Sequence, residues 1–440
     1  MSTPIHYKSQ NVPIGVIDLF AGCGGLSAGF RSYEPNGPGS SPFTSVAAVE
    51  FDKAAASTYA ANFGSVHVHA DDIATFDPAP FERTTDVIVG GPPCQGFSGL
   101  GKNDPNDPRN ELWREYMRVV TTVRPKIFVI ENVDRFLKSS QFAELEAAVD
   151  KPDGELNDYW MEVKILNSAD YGVPQARRRV IVICTHRDLG IPLRHPTPTH
   201  DRNGILPDPG AEKQAAFFTT DQLSEVNLPP LPWVPVGPQV FDRSDEVPLL
   251  GPDLPSPSGD PSPFDANILG HYLTTDLHIR RTTTELSRAR YLAIPPGGNR
   301  MNLREMRYRL DGTGRIRLST EDGYNRLRGP EYNLSTDSWD RHDTGAGDVM
   351  GRLRPGGPSV TIRTEFFKPE KGRYLHPTAN RPITHFEAAL IQGFPENFKW
   401  YGSKTQIARQ IGNAVPVGLG RALAQAIHEH LEMYGRPAHP

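Results

Sequence analysis

Residues 90–98 read GGPPCQGFS and place Cys94, one of only three cysteines, behind two prolines and among glycines. Pro92 and Pro93 fix φ and stiffen the approach to the thiol, while Gly96 and Gly101 leave the following loop free to move. A thiolate presented this way is a nucleophile, although a free thiol near pKa 8.5 needs a local positive field or backbone donors to ionise. A bare Pro-Pro-Cys also reads as a structural loop, so its neighbours in the sequence matter. ENV (Glu131–Val133) ends the apolar run IFVIENV. A carboxylate at the end of a buried strand is dehydrated, its proton affinity is expected to rise, and it suits sharing a proton with a ring nitrogen. The same position also suits a structural acid. QARRRV (Gln175–Val180) sets Arg177 and Arg179 two apart on a strand, so both face one side and Arg178 the other. Such a pair can hold a carbonyl oxygen and a phosphate, or form a solvated charge run.

IDLFAGCGGLSAGF runs from strand through a glycine turn into a helix. Gly22, Gly24 and Gly25 allow close backbone approach to a ligand at the carboxyl end of the first strand, or serve tight helix–strand packing. The dinucleotide fingerprint would put a third glycine where Ser27 stands. Glu50 ends the second strand and suits ribose hydroxyls; Asp72 follows the third and suits an adenine amine. A nucleoside cofactor without a pyrophosphate fits this pattern, and S-adenosyl-L-methionine is such a cofactor.

These groups need a scaffold. Short apolar strands at Ile14–Phe20, Ser45–Glu50, Asp86–Val89, Lys126–Glu131, Met161–Asn167 and Arg179–Cys184 alternate with helical stretches such as Lys53–Asn62 and Asn110–Val123. That alternation predicts an α/β fold, a Rossmann-like doubly wound and mostly parallel sheet. Residues 188–265 are proline-rich and lack periodicity, which reads as a linker or an extended contact surface. Residues 266–350 are arginine-rich, with twelve arginines from Arg280 to Arg328 interleaved with Tyr291, Tyr308 and Tyr324. Helical periodicity returns in PITHFEAALIQGFP and in QIARQIGNAVPVGLGRALAQAIHEHLEMYG. The last helix has no partner nearby in sequence and is expected to return to the first domain. The division expected is 1–187, a catalytic domain; 188–380, a linker and recognition domain; and 381–440, the returning segment.

Composition bounds the function. A chain of 440 residues with net charge −5 is not uniformly basic, so any nucleic-acid surface must be local. Cys23, Cys94 and Cys184 are too few and scattered for a disulfide framework or a zinc site, and an odd count fits a reducing cytoplasm. No metal, signal peptide or membrane span is expected.

In this order DLFAGCGGLSAGF, VEFD, ADDI, GGPPCQGFS, DPRNELW, ENV, QARRRV, QGFP and QIGNAVP resemble the DNA cytosine-5 methyltransferases of prokaryotic restriction–modification systems. The resemblance spans about residues 14–187 and 350–430. It implies that Cys94 adds to carbon 6 of a flipped-out cytosine and that Glu131 holds the amino group and ring nitrogen 3. Arg179 would hold the carbonyl oxygen, and Arg177 would support the nucleophile loop and a nearby phosphate. Residues from Gln95 to about Lys102 would close over the base. The cofactor positions implied are Phe20, Gly22, Gly24, Glu50, Asp72, Ile73, Pro92, Leu112, Asn413 and Val415. The segment before QGFP would read DNA sequence, its arginines and tyrosines contacting phosphates and guanines. The implied partner is double-stranded DNA, with a restriction endonuclease as functional counterpart, and the implied setting is a monomer at the cytoplasmic nucleoid. Two other readings remain open at this point, a transfer-RNA cytosine-5 methyltransferase and a catalytically silent DNA-binding regulator. A nicotinamide-dependent oxidoreductase is weakened by the missing third glycine.

Overall fold

The computed structural model describes residues 13–93, 108–205, 229–341 and 348–434. Cys94 and the loop to Lys102 lie outside the described residues.

Eight strands form the frame: β1 (Ile14–Leu19), β2 (Phe43–Val49), β3 (Val68–His69), β4 (Val87–Gly90), β5 (Ile127–Asn132), β6 (Tyr159–Asn167), β7 (Gln175–Ala176) and β8 (Arg178–His186). Seven of them build one sheet in the order β3-β2-β1-β4-β5-β8-β6. Pairing is parallel from β3 to β5, and β8 runs antiparallel to both β5 and β6. The order reverses direction at β1, so β1 and β4 flank a topological switch point, where open α/β sheets bind ligands.

Strand residues alternate between two cores. Ile17, Leu19, Ile88, Phe128 and Ile130 pack under α3 (Pro108–Val123) and α4 (Ser140–Asp150). Ile14, Val16, Val87, Val89, Ile127 and Val129 face α1 (Gly25–Arg31) and the C-terminal helix. The helices begin where side chains can cap them. Asp52 accepts from the amides of Ala54 and Ala55 to start α2 (Lys53–Phe63), and Ser139 accepts from Phe142 to start α4.

Later in the chain come helices α5 (Glu285–Ala293), α6 (His385–Ile391), α7 (Lys404–Asn413) and α8 (Val417–Met433). The last packs on α1. A Cβ on Gly29 would lie 2.6 Å from the backbone of Gly420, so the two helices touch main chain to main chain. The proline-rich stretch departs from a free tether. Over residues 229–265 it is fixed: Val236, Val240 and Phe241 are buried in one core with Phe386, Phe394 and Trp400. Tyr401 Oη donates to Asp260 O and Lys404 Nζ to Pro252 O. Apolar burial rather than regular hydrogen bonding holds this strap. No helix among the described residues is long and apolar enough to cross a membrane.

Candidate active site

Register brings the candidate residues to one edge of the sheet. Leu19 lies opposite Val49 and Gly90, and Gly90 opposite Ile130. The residues that follow these positions, Phe20 to Gly22, Glu50 and Pro92 beyond their strands and Glu131 next to last in β5, therefore emerge side by side. Because β8 is antiparallel to β5, its first residues meet the last of β5: Val180 pairs with Asn132, and Ile181 with Glu131. That reversal carries the arginines to the carboxyl edge. Together these ends line a cleft of about 1170 Å3, which also takes in Leu112 and Glu115 of α3, Thr361 to Thr364, Gln410, and Gly412 to Val415.

Glu131, Arg177 and Arg179 all line this cleft. Glu131 Oε1 pairs with Arg179 Nε at 2.8 Å, with both side chains largely shielded from solvent. Arg178 faces outward and pairs with Asp134 at 3.5 Å. Arg177 is buried, and its Nη1 donates to Ile362 O at 2.9 Å and to Gly412 O at 3.0 Å. The guanidinium thereby joins three segments; burial, with Arg179 adding to it, lowers its pKa to about 9, so it stays charged at neutral pH. Its described partners are backbone carbonyls, which differs from the phosphate contact expected of it. Asn132 Nδ2 donates to Pro92 O at 3.0 Å, anchoring the chain two residues before Cys94. A Cβ on Gly91 would stand 3.2 Å from Glu131 Oε2, so Gly91 admits the carboxylate beside the loop.

Of the expected cofactor positions, Phe20, Gly22, Glu50, Asp72, Ile73, Pro92, Leu112, Asn413 and Val415 line the cleft. Gly24 does not. It caps α1 with φ +89°, and a Cβ there would strike Phe63 and Tyr59, so its role is in packing. Gly25 admits the returning segment: a Cβ would lie 2.5 Å from Val415 O. Gly22 has φ +56° and open space where a Cβ would stand. Phe20 is a non-glycine residue at φ 56°, a strained conformation found preferentially at functional sites.

Glu50 accepts from Gly22 N at 2.8 Å through Oε2 and from Asp52 N at 2.7 Å through Oε1. Its carboxylate is held rigidly, and burial raises its pKa. Asp72 Oδ1 accepts from Ala74 N at 3.0 Å. The residues fit a nucleoside cofactor: an oriented acceptor at Glu50, another at Asp72, and open backbone at Gly22. Among the lining residues that escaped the sequence reading, three bear on the site. Phe51 is an aromatic left 71% exposed at the cleft, legible in principle as a bulky residue directly after the strand-end acid. Asp18 lies within β1 and accepts from Ser27 Oγ at 2.6 Å; burial and Glu50 raise its pKa to about 7. Gln410 is buried with Oε1 unpartnered among the described residues, and no local signal marks it.

The recognition reading needs correction. Eight of the twelve arginines are bound within the protein. Arg280, Arg281, Arg290, Arg300 and Arg304 donate to backbone carbonyls, and Arg307, Arg309 and Arg317 pair with Glu331 or Glu321. Tyr291, Tyr308 and Tyr324 are buried rather than presented to a ligand. Arg288, Arg315, Arg326 and Arg328 are exposed, and their guanidinium groups form no hydrogen bond or ion pair among the described residues.

Comparison with known proteins adds an independent line. The model of the family described as C-5 cytosine-specific DNA methylase matches residues 14–226 and 270–429. Type II methyltransferase M.DdeI of Desulfomicrobium norvegicum is 30% identical, over 95% of this chain and 89% of its own length. Type II methyltransferase M.XorII of Xanthomonas oryzae pv. oryzae is 31% identical, over 95% and 85%. A solved prophage-encoded E. coli protein, titled as a DNA modification methyltransferase, shares the fold with TM-score 0.58 at 21% identity, over 95% of this chain and 99% of that one.

Proposed function

The chain belongs to the C-5 cytosine-specific DNA methylase family and is a DNA (cytosine-5)-methyltransferase; from that premise we propose which of its residues perform the reaction and with which cofactor. Carbon 5 of cytosine is too weak a nucleophile to take a methyl group directly. Cys94 forms a bond to carbon 6, and the electrons of the 5,6 double bond become available at carbon 5. After methylation, loss of the carbon-5 proton expels the thiolate and restores the double bond. A stacked base cannot be reached in this way, so the cytosine is flipped from the duplex.

The observation that carries the assignment is the 2.8 Å pair between Glu131 and Arg179 beside Pro92. Cytosine presents a carbonyl oxygen, ring nitrogen 3 and an amino group along one edge. A guanidinium next to a carboxylate complements that edge. Arg179 donates to the carbonyl oxygen; Glu131 accepts from the amino group and holds the proton that ring nitrogen 3 gains. Arg177 holds the wall behind them.

S-adenosyl-L-methionine, when bound, supplies the electrophilic methyl group. The proposed cofactor set is Phe20, Gly22, Glu50, Asp72, Ile73, Pro92, Leu112, Asn413 and Val415, with Phe51 offering a flat apolar face. Gly24 serves the packing that holds this set. The proposed division keeps 1–187 catalytic, 188–380 for recognition with the 229–265 strap packed down, and 381–440 returning to complete the cofactor wall. The acting form proposed is a monomer. The Type II relatives favour a modification enzyme paired with a restriction endonuclease, working on the cytoplasmic nucleoid.

The test is methyl transfer from labelled S-adenosyl-L-methionine to unmethylated genomic DNA and to bulk transfer RNA, followed by bisulfite sequencing. Incorporation into DNA at one short motif is expected, and its loss in Cys94→Ala with cofactor binding retained. Turnover by Cys94→Ala would remove that thiol from the mechanism.

A further inference from the structure

The loop that carries Asp72 and Ile73 is weakly anchored by its own backbone. It follows β3, a two-residue strand at the sheet edge, and contains a single short turn over Ile73–Thr75. Asp72 caps that turn, but a cap within the turn does not fix the turn to the rest of the protein. From outside the turn, His69 Nε2 lies 2.9 Å from Thr75 Oγ1, and α3 supplies two hydrogen bonds from one side chain. Arg118 Nη2 donates to Ile73 O at 2.9 Å and to Phe76 O at 3.0 Å, gripping carbonyls at both ends of the segment. Its Nε pairs with Glu115 Oε2 at 2.6 Å, which sets the plane of the guanidinium. Glu111, Leu112 and Glu115 on the same helix line the cleft, and Arg118 continues their spacing without lining it.

We infer that Arg118 is a positioning residue for the nucleoside end of the cofactor. It locks Asp72 and Ile73 against α3, so that the Asp72 acceptor and the Ile73 side chain hold their places before any ligand arrives. This rests on the cofactor placement proposed above. Arginine suits the task because one planar group, fixed by Glu115, reaches both carbonyls; a lysine ammonium lacks the fixed plane. The guanidinium touches no reacting atom. Losing it therefore weakens cofactor binding and leaves the chemical step intact.

The experiment measures the dissociation constant of S-adenosylhomocysteine by titration calorimetry for wild type, Arg118→Met and Arg118→Lys. The steady-state kcat, the KM for S-adenosyl-L-methionine and the KM for DNA are taken on the same preparations. Methionine keeps the aliphatic stem, so packing along α3 is preserved. Arg118→Met is expected to bind about tenfold more weakly, and Arg118→Lys a few-fold, the tenfold corresponding to roughly 1.4 kcal/mol. The cofactor KM rises in parallel, while kcat at saturating cofactor and the KM for DNA stay within about twofold. Wild-type affinity in Arg118→Met overturns the inference alone. So does a fall in kcat with cofactor affinity unchanged. Failure of the wild type itself to bind S-adenosylhomocysteine overturns the cofactor reading and this inference with it. If Arg118→Met loses its unfolding transition, Arg118→Lys and Arg118→Gln decide the matter by the same readouts.

Discussion

Gly29 and Gly420 sit where α1 and α8 cross, and alanine at each is expected to give different results. Gly29 is inside α1, so helix propensity alone favours alanine by roughly 0.8–1 kcal/mol. Packing opposes it. The added Cβ would lie 2.6 Å from both Cα and C of Gly420 and 2.7 Å from Arg421 N. Carbon atoms prefer about 3.5–4.0 Å, and these are backbone atoms that cannot rotate aside, so α8 must retreat by about 1 Å. Overpacking of this kind costs about 1–3 kcal/mol, and the absence of any movable side chain places it in the upper half. The net expectation for Gly29→Ala is a loss of about 1–2 kcal/mol. The reciprocal change is milder. A Cβ on Gly420 meets Gly29 Cα at 3.2 Å and Leu26 O at 3.3 Å, which a few tenths of an ångström relieve. Propensity then roughly cancels the strain, within about 0.5 kcal/mol. Because Val415 lies just before α8, retreat of that helix also raises the KM for S-adenosyl-L-methionine in Gly29→Ala. Urea unfolding of both variants, with cofactor titration, checks the order. A Gly29→Ala protein as stable as wild type, or more stable than Gly420→Ala, refutes the reasoning.

Glu131→Gln is expected to slow methyl transfer by about 100-fold or more while the protein remains folded, read by rapid-quench kinetics beside a melting curve; a wild-type rate in folded protein would sink the ring-activation role. Arg326→Ala and Arg328→Ala are each expected to reduce the slope of log affinity for DNA against log salt by about 0.9, whereas Arg352→Ala leaves the slope and lowers stability. An unchanged slope in the double variant would take those two arginines off the phosphates. Burial raises the pKa of Asp18 in the folded state to about 7, against 3.8 for a free aspartate, so the folded state favours its protonated form. Its contribution to stability is therefore fully present below pH 3.8 and is lost as pH rises through 7. Asp18→Asn should gain stability relative to wild type between pH 5 and pH 8, and an equal difference at the two pH values would contradict the assignment.

The strands and the cleft edge were legible because a parallel sheet with both faces covered writes itself as continuous Val and Ile runs. Arg177 and Arg179 both reach the cleft as expected, although Arg177 stands in the break between β7 and β8 rather than on one strand with Arg179. The direction of β8 was not legible, since a strand reads the same from either end; yet that reversal is what sets Arg179 against Glu131. The partners of Arg177 were hidden for another reason. Ile362 and Gly412 lie 185 and 235 residues further along, beyond any local pattern. The glycine turn was read as one device and turned out to be several. Gly22 leaves space at the ligand, Gly24 takes a left-handed cap, and Gly25 and Gly29 admit the backbone of a segment nearly 400 residues away.

The arginine-rich region shows most directly why composition misleads. A segment with only short strands leaves many carbonyls without the ladder partners that regular structure would supply, and burial forces them to find donors elsewhere. Arginine, with five N–H groups in a fixed fork, answers that demand. Arg352, which is buried, donates to Ile294 O, Tyr291 O, His376 O, Ala379 O and Asn380 Oδ1, and Arg373 to Arg352 O, Gly297 O, Gly298 O and Asp348 Oδ1. These guanidiniums replace a sheet. An excess of arginine in an irregular domain therefore does not measure its appetite for phosphate. The charge available to DNA is what remains after the carbonyls and carboxylates are satisfied. On the loop following Tyr324, Arg309 holds Leu327 O and Tyr324 Oη holds Glu331. That inner scaffold leaves Arg326 and Arg328, on either side of Leu327, exposed. The arginines fixed inside are what give the two outside a defined place on the surface.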